Sequence, residues 1–386
     1  MTNSSTPSDP SGTVPIRFSA TFAPNDSSIR YLELPPDLLA LFESKSVGDL
    51  TLAFRGPKPG THPDRNVTLH TDNATYLVRE VQTSNTVLTC QATKTSEGEP
   101  ELQVVYSSGN YLEVTHVPPP RLRETLRTVL VGTEWHDGRG VEFKHVTVRG
   151  LLREVQASEA ELLNELKRIH AVEIFGYVRQ LELDYVKDVL TLIVTTAVAT
   201  DLDVNNLSVA DMVDQLREDV NPAIVRHVMS ECADERLVGD RVKLCATKVP
   251  AMYAQALLSP LGLGASMSLI DFEEQWQASV PEPFQCDHAQ LTPFSLTVPF
   301  DPATNRPATI HYLPANELPG TIADRLRLLF SLRNQWPRDE IANLVRDLTL
   351  DGSDKACDQL LVKQAKMIKQ GGQVLFGPRR DMSTLR

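Results

Sequence analysis

An α+β fold is predicted for this 386-residue chain: a β-barrel-like domain followed by three or four helix–helix–ribbon modules. Three observations predict it. Up to about Val117 apolar residues alternate in short runs separated by turn material, as in Leu50, Leu52 and Phe54, Val67 with Leu69, and Leu112 with Val114. Pro118, Pro119 and Pro120 then break that pattern. Beyond Val146 apolar spacing becomes helical and returns to alternation at regular intervals.

Taken in order, residues 1–20 read as a disordered tail, Ser/Thr/Pro-rich and without the basic and apolar regions of a secretory signal. Residues 21–120 form the β domain, with one helix at Pro36 to Ser44 and turns at Gly56–Gly60, Thr71–Ala74, Thr95–Pro100 and Ser107–Asn110. Thr75 to Leu88 reads as a strand, a turn at Thr83, Ser84 and Asn85, and a second strand opening. So many edges in a small domain are a liability unless another chain covers them. Residues 121–145 hold a helix carrying Leu122, Leu126, Val129 and Leu130, then a connecting loop.

The first module, 146–200, opens with Val148, Leu151, Leu152 and Val155. A capping box at Ser158 and Glu161 starts its second helix, Ala171–Leu183 alternates around Gly176, and Tyr185–Val194 is helical. The second, 201–265, has helices at Val209–Leu216 and Val225–Met229 and a hairpin turning at Gly239-Asp240. In the third, 266–333, Leu269, Phe272, Trp276 and Val280 precede a ribbon at Phe294–Phe300 and Thr309–Leu313, closed by a helix at Ile322–Leu332. The fourth, 334–386, runs from Ile341, Leu344, Val345 and Leu348 through Leu360 and Leu361 to a hairpin within Gly371–Phe376. Such modules suggest winged helices.

The net charge of −12 argues against a surface built throughout for nucleic acid, but the charge is uneven. Asp201 to Asp240 holds ten acidic and three basic residues, whereas Leu361 to Arg386 holds six basic and one acidic. Lys363, Lys366 and Lys369 recur every third residue, one side of a helix if helical, and Arg379 and Arg380 follow a strand. Phosphate contact there and a solvated basic face are both open. Five scattered cysteines without CxxC spacing suit a reducing compartment and make neither a disulfide framework nor a zinc site. GxSxG, HExxH and a phosphate-binding Gly-Lys-Ser/Thr loop are all missing, and no apolar run is long enough for a bilayer. Trp135, His136 and Asp137 place a His–Asp couple without a nucleophile; His170 ends a helix, where it suits the helix dipole better than a metal. Neither an enzyme nor a cofactor is expected.

Several stretches resemble the sister-chromatid-cohesion family that serves an alternative replication-factor-C clamp loader. They are YLELPPDLLALF (31–42), TYLVREVQTSNTVL (75–88), ASEAELLNELKRIHAVEIFGYVRQLELDY (157–185), FEEQWQASVPE (272–282), LFSLRNQW (329–336) and QVLFGPRR (373–380). The resemblance implies a nuclear adaptor, with ATP hydrolysis left to other subunits. Its β domain would form a composite barrel with a small partner subunit and the C-terminal tail of the large chromosome-transmission-fidelity ATPase subunit. Thr75, Tyr76, Val78, Ser84 and Asn85 are the barrel candidates. The first winged helix would dock on the catalytic subunit of DNA polymerase epsilon, for which Arg153, Lys167 and Arg168 are chosen as exposed basic residues. Lys363, Lys366, Lys369, Arg379 and Arg380 would meet single- or double-stranded DNA, and the sliding clamp would be reached indirectly, with no membrane involved. The competing reading is an autonomous winged-helix DNA-binding regulator.

Overall fold

Val67 to His116 supplies the longest β-rich run of the chain, and a single sheet grows from it. The computed structural model describes residues 14–20, 22, 29–44, 51–56, 66–135, 143–236, 239–292, 294–300, 305–315, 317–350 and 352–379. Two units emerge, the first reaching Val117 without Asp72–Ala74, the second holding those three residues and everything from Pro118.

The first unit comprises β1 (Ile16–Phe18), β2 (Leu32–Glu33), α1 (Pro36–Ser44), β3 (Ala53–Arg55), β4 (Val67–His70), β5 (Thr75–Lys94) and β6 (Pro100–His116). The sheet order is β1-β6-β5-β4-β3, and β2 also pairs with β6. Both β1 and β2 run parallel to β6, at Leu102–Val104 and Leu112–Glu113. No strand closes the sheet into a barrel among the described residues, a correction to the barrel expectation. Two expected turns are also absent. Thr83, Ser84 and Asn85 lie inside β5, where the pairing with β6 slips between Gln82 and Val87, and Ser107–Asn110 lies inside β6. Polar composition there marks an irregular ladder rather than a reversal. The reversal falls at Thr95–Glu99, where Gly98 takes φ 86°, a conformation glycine adopts without strain.

The second unit begins with α2 (Leu122–Val129), α3 (Val148–Glu154) and α4 (Glu159–Arg168). The capping box forms: Ser158 Oγ accepts from the Glu161 amide, and the Glu161 carboxylate accepts from the Ser158 amide at 2.9 Å. β7 (Ala171–Ile174) and β8 (Tyr177–Gln180) follow, joined by Phe175 and Gly176, both at positive φ as a tight hairpin turn requires. Then come α5 (Leu183–Ala199), β9 (Leu207–Ser208), α6 (Val209–Leu216), α7 (Pro222–Cys232), β10 (Ala233–Arg236) and β11 (Arg241–Leu244), with β11 central in its three-stranded sheet. Helix α8 (Lys248–Leu258) is not anticipated by apolar spacing; its buried residues, from Val249 to Leu258, leave little amphipathic contrast to detect.

The third module has β12 (Ser266–Ser268), α9 (Leu269–Ser279), β13 (Ser295–Val298) and β14 (Thr309–Tyr312). A single short 3-10 turn, His288–Leu291, stands in place of a second helix, since Pro281 and Pro283 interrupt the segment that would form it. After α10 (Ile322–Leu332) the last module runs β15 (Trp336–Pro337), α11 (Arg338–Val345), α12 (Asp354–Gln364), β16 (Lys366–Gln370) and β17 (Gln373–Gly377). Strand-first, two-helix, hairpin order is thus seen in full at β9–β11 and at β15–β17.

Buried apolar residues form three clusters, within 122–178, 172–312 and 296–376, so the module cores run into one another. Phe272 and Trp276 stack in the middle cluster, and the Trp276 indole donates to the Pro250 carbonyl at 2.8 Å. The Trp336 indole, in the last cluster, donates to the Leu329 carbonyl at 3.0 Å.

Candidate partner-binding surfaces

None of the three core clusters contains a described residue of the first unit. Among its described residues the buried apolar side chains are few: Leu38, Leu69, Tyr76, Val104, Tyr106 and Val114. Meanwhile Phe18 and Phe54 are 63% and 55% exposed, and Ile16, Val87 and Leu88 also face solvent. Strand β4 covers β5 only at Thr75–Val78, so from Arg79 to Lys94 one edge of β5 pairs with nothing among the described residues. An exposed edge with apolar flanks is a template for another strand.

The barrel candidates separate accordingly. Thr75 and Tyr76 are buried: Thr75 Oγ1 lies 3.1 Å from His70 Nδ1, whose other nitrogen lies 2.8 Å from Thr68 Oγ1, and the Tyr76 hydroxyl donates to Asp37 at 3.0 Å. Burial, aided by the Arg55 charge, pushes His70 down to about 4, so this chain of groups holds a neutral imidazole. Val78 is half-buried, while Ser84 and Asn85 are exposed in the irregular part of β5. Thr75 and Tyr76 are therefore inner residues of the sheet, and the partner-accessible candidates reduce to Ser84, Asn85 and part of Val78.

In the second unit Arg153 is exposed on α3, and Lys167 and Arg168 are exposed at the end of α4. Lys167 pairs with Glu231 at 3.2 Å and Arg168 with Glu165 at 3.7 Å. Both line a cleft of about 760 Å³ beside Arg123, which Arg153 does not reach. At the floor of that region lies a cluster no sequence pattern announced. Arg123 donates to Glu165 at 2.7 Å and to Asp347 at 2.9 Å, while Arg325, fully buried, forms a two-pronged bond with the same Asp347 carboxylate. Burial works against the Asp347 charge, but the bonds and charges of Arg325 and Arg123 outweigh it and hold the carboxyl below its usual range. The partners lie up to 224 positions apart, which is why spacing could not find them.

The basic C-terminal end differs from the expected helical row. Lys363 is on α12, but Lys366 and Lys369 sit on β16, three apart and hence on opposite faces of the strand. All three are exposed. The segment from Lys366 to Gln370 pairs with β17. Arg379 caps α12, donating to the Val362 carbonyl at 2.9 Å; Arg380 lies outside the described residues.

His136 and Asp137 also lie outside the described residues. Burial pushes His170 down to about 4, so it faces the end of α4 as a neutral ring, not as the cation the dipole would favour. No group of His, Cys, Asp and Glu suited to a metal occurs among the described residues, and no described helix is long and apolar enough to cross a membrane.

The family model for the sister chromatid cohesion protein Dcc1 matches residues 29–345. The chain belongs to the Dcc1 family. Its relatives include the sister chromatid cohesion protein DCC1 of Mus musculus, 29% identical over 368 residues that cover 91% of this chain and 87% of that protein. The Xenopus tropicalis protein is 27% identical over 384 residues, covering 95% and 93%. That of Homo sapiens is 26% identical over 368 residues, covering 91% and 88%. The Dcc1 family match takes in most of the β5–β6 ribbon's unit and extends into α11.

Proposed function

We propose that this Dcc1-family chain is a non-enzymatic adaptor of sister chromatid cohesion, a nuclear subunit of an alternative replication-factor-C clamp loader. The carrying observation is the first unit, in which, among the described residues, one edge of β5 pairs with nothing, apolar side chains are exposed and no core cluster forms. Folding such a unit leaves apolar area in water at roughly 25 cal/mol per Å², which a partner strand would remove. The small partner subunit and the tail of the large ATPase subunit fit that need. On this reading they complete the open sheet into a composite barrel. The helix-and-ribbon modules are winged helices, and the first, α3, α4 and β7–β8, meets DNA polymerase epsilon through Arg153, Lys167 and Arg168. The last meets DNA through Lys363, Lys366, Lys369 and Arg379. Supporting this division, the exposed lysines of the last module are separated in sequence from the acidic stretch Asp201–Asp240.

Hydrogen exchange on the full chain tests the reading. Amides from Arg79 to Lys94 should gain protection when the two partner subunits are added. Val87→Glu with Leu88→Glu, at exposed positions, should leave the isolated chain within about 0.5 kcal/mol of its parent and abolish assembly. Unchanged exchange, or assembly of the double variant at full strength, refutes the adaptor reading.

A further inference from the structure

A groove of about 770 Å³ lies in the second unit between α2, the end of α4, the start of α5 and the turn Ser259–Leu261; its lining shares no residue with the Arg123–Asp347 cleft or the basic end. Its floor is apolar, with Leu126, Leu130 and Leu181 buried and Leu263 partly exposed. Its rim is acidic, with Glu134, Glu182, Asp184 and Glu317 facing one basic residue among the lining, Arg127. Cations lie near three of the four: Arg127 near Glu317, Arg179 near Glu134 and Lys187 beside Asp184. Glu134 accepts from the Gly132 amide at 3.2 Å and Glu317 from the Tyr312 hydroxyl at 2.9 Å, while Asp184 pairs with Lys187 at 3.2 Å.

His170 also lines the groove. Only 6% exposed, it has no hydrogen-bond partner for its Nδ1. Burial keeps the ring neutral, so it adds an unsatisfied polar group to the wall without adding positive charge. Phosphate, nucleic acid or an acidic peptide would meet four carboxylates here. A lysine or arginine suits it, laying its aliphatic stem on leucine and its charged head among carboxylates.

We propose that this groove binds a basic, apolar-flanked peptide segment of a protein partner. The site is independent of the adaptor reading, because it uses neither the β5 edge nor the lysines of the last module.

The test is fluorescence anisotropy of the full chain with a labelled peptide of alternating leucine and arginine, followed across salt concentrations. Binding tighter than about 1 mM is expected, weakened at least about tenfold by Glu182→Lys combined with Glu317→Gln. Should that double variant melt early, Asp184→Lys alone, on the exposed first turn of α5, gives the same readout. Leu263→Ser should also weaken binding, since the floor supplies part of the energy. Absence of binding, equal binding by the charge variants, or full competition by spermine, which has charge and no apolar side chains, overturns the proposal.

Discussion

Replacing Asp347 by asparagine should destabilise the second unit more than any surface change of equal size. The carboxylate is 7% exposed and accepts from two guanidinium groups, one of which, Arg325, has no exposed side-chain surface. The asparagine would keep the volume and one acceptor oxygen but leave Arg325 buried without its counter-charge. Arg325 would retain its bonds to the carbonyls of Pro319 and Leu344, both at 2.8 Å, and Arg123 would retain Glu165, so collapse is not expected. Removing one member of a buried pair costs about 3–5 kcal/mol. At roughly 2–4 °C per kcal/mol for a unit of this size, the melting temperature should fall by about 10 °C. Trp276 and Trp336, buried in different core clusters, report unfolding by fluorescence. The companion variant Arg325→Met with Asp347→Leu removes both charges and should recover much of the loss, because apolar replacement of a buried pair is often nearly neutral. Asp347→Asn within about 0.5 kcal/mol of the parent would refute the assignment of a buried, energetically coupled cluster. The sign with pH follows from the lowered carboxyl: its contribution is present above the unfolded carboxylate range and is lost as pH falls through the folded value.

Further outcomes follow from the same structure. His170 and His227, rings 5.9 Å apart, are both pushed from 6.5 down to about 4, so the unfolded chain binds protons that the folded one does not. Stability should fall as pH drops between those values, and His227→Leu should flatten the melting-temperature profile there while leaving pH 7 stability equal or higher; an unchanged slope sinks this. Lys363, Lys366 and Lys369 changed together to Glu should weaken DNA binding and reduce the magnitude of the log–log salt slope by about 3, measured by anisotropy; an unaltered slope would make these lysines a merely solvated face. Arg153→Glu with Arg168→Glu should lower binding to the polymerase catalytic subunit in a pull-down at unchanged melting temperature, and intact binding removes that surface from consideration.

Local pattern carried much of this fold. Helical spacing at Leu162 and Leu166 with a Ser158–Glu161 cap marked α4, and alternation about Gly176 marked the β7–β8 hairpin, because those signals depend on neighbours three or four residues away. Where a reading failed, distant partners had decided. Lys366 to Lys369 is compatible with helix by spacing, yet becomes strand because β17 pairs with it. Thr83 to Asn85 looks like a turn, yet β6 carries β5 past it. Likewise Thr75 and Tyr76, named as barrel candidates, are held inward by His70 and Asp37.

By itself, then, the sequence determined the change from a β-rich segment to mixed helix-and-ribbon segments, the break at Pro118–Pro120, the basic end and the family resemblance, all properties of neighbouring residues or ordered motifs. Tertiary structure alone decided that, among the described residues, the first sheet stays open along β5, that Asp347 meets Arg123 from the far side of the chain, and that four carboxylates gather over leucines beside His170. Each depends on which surfaces the folded backbone brings together, and side chains as far apart in sequence as Arg123 and Asp347 leave no periodic trace.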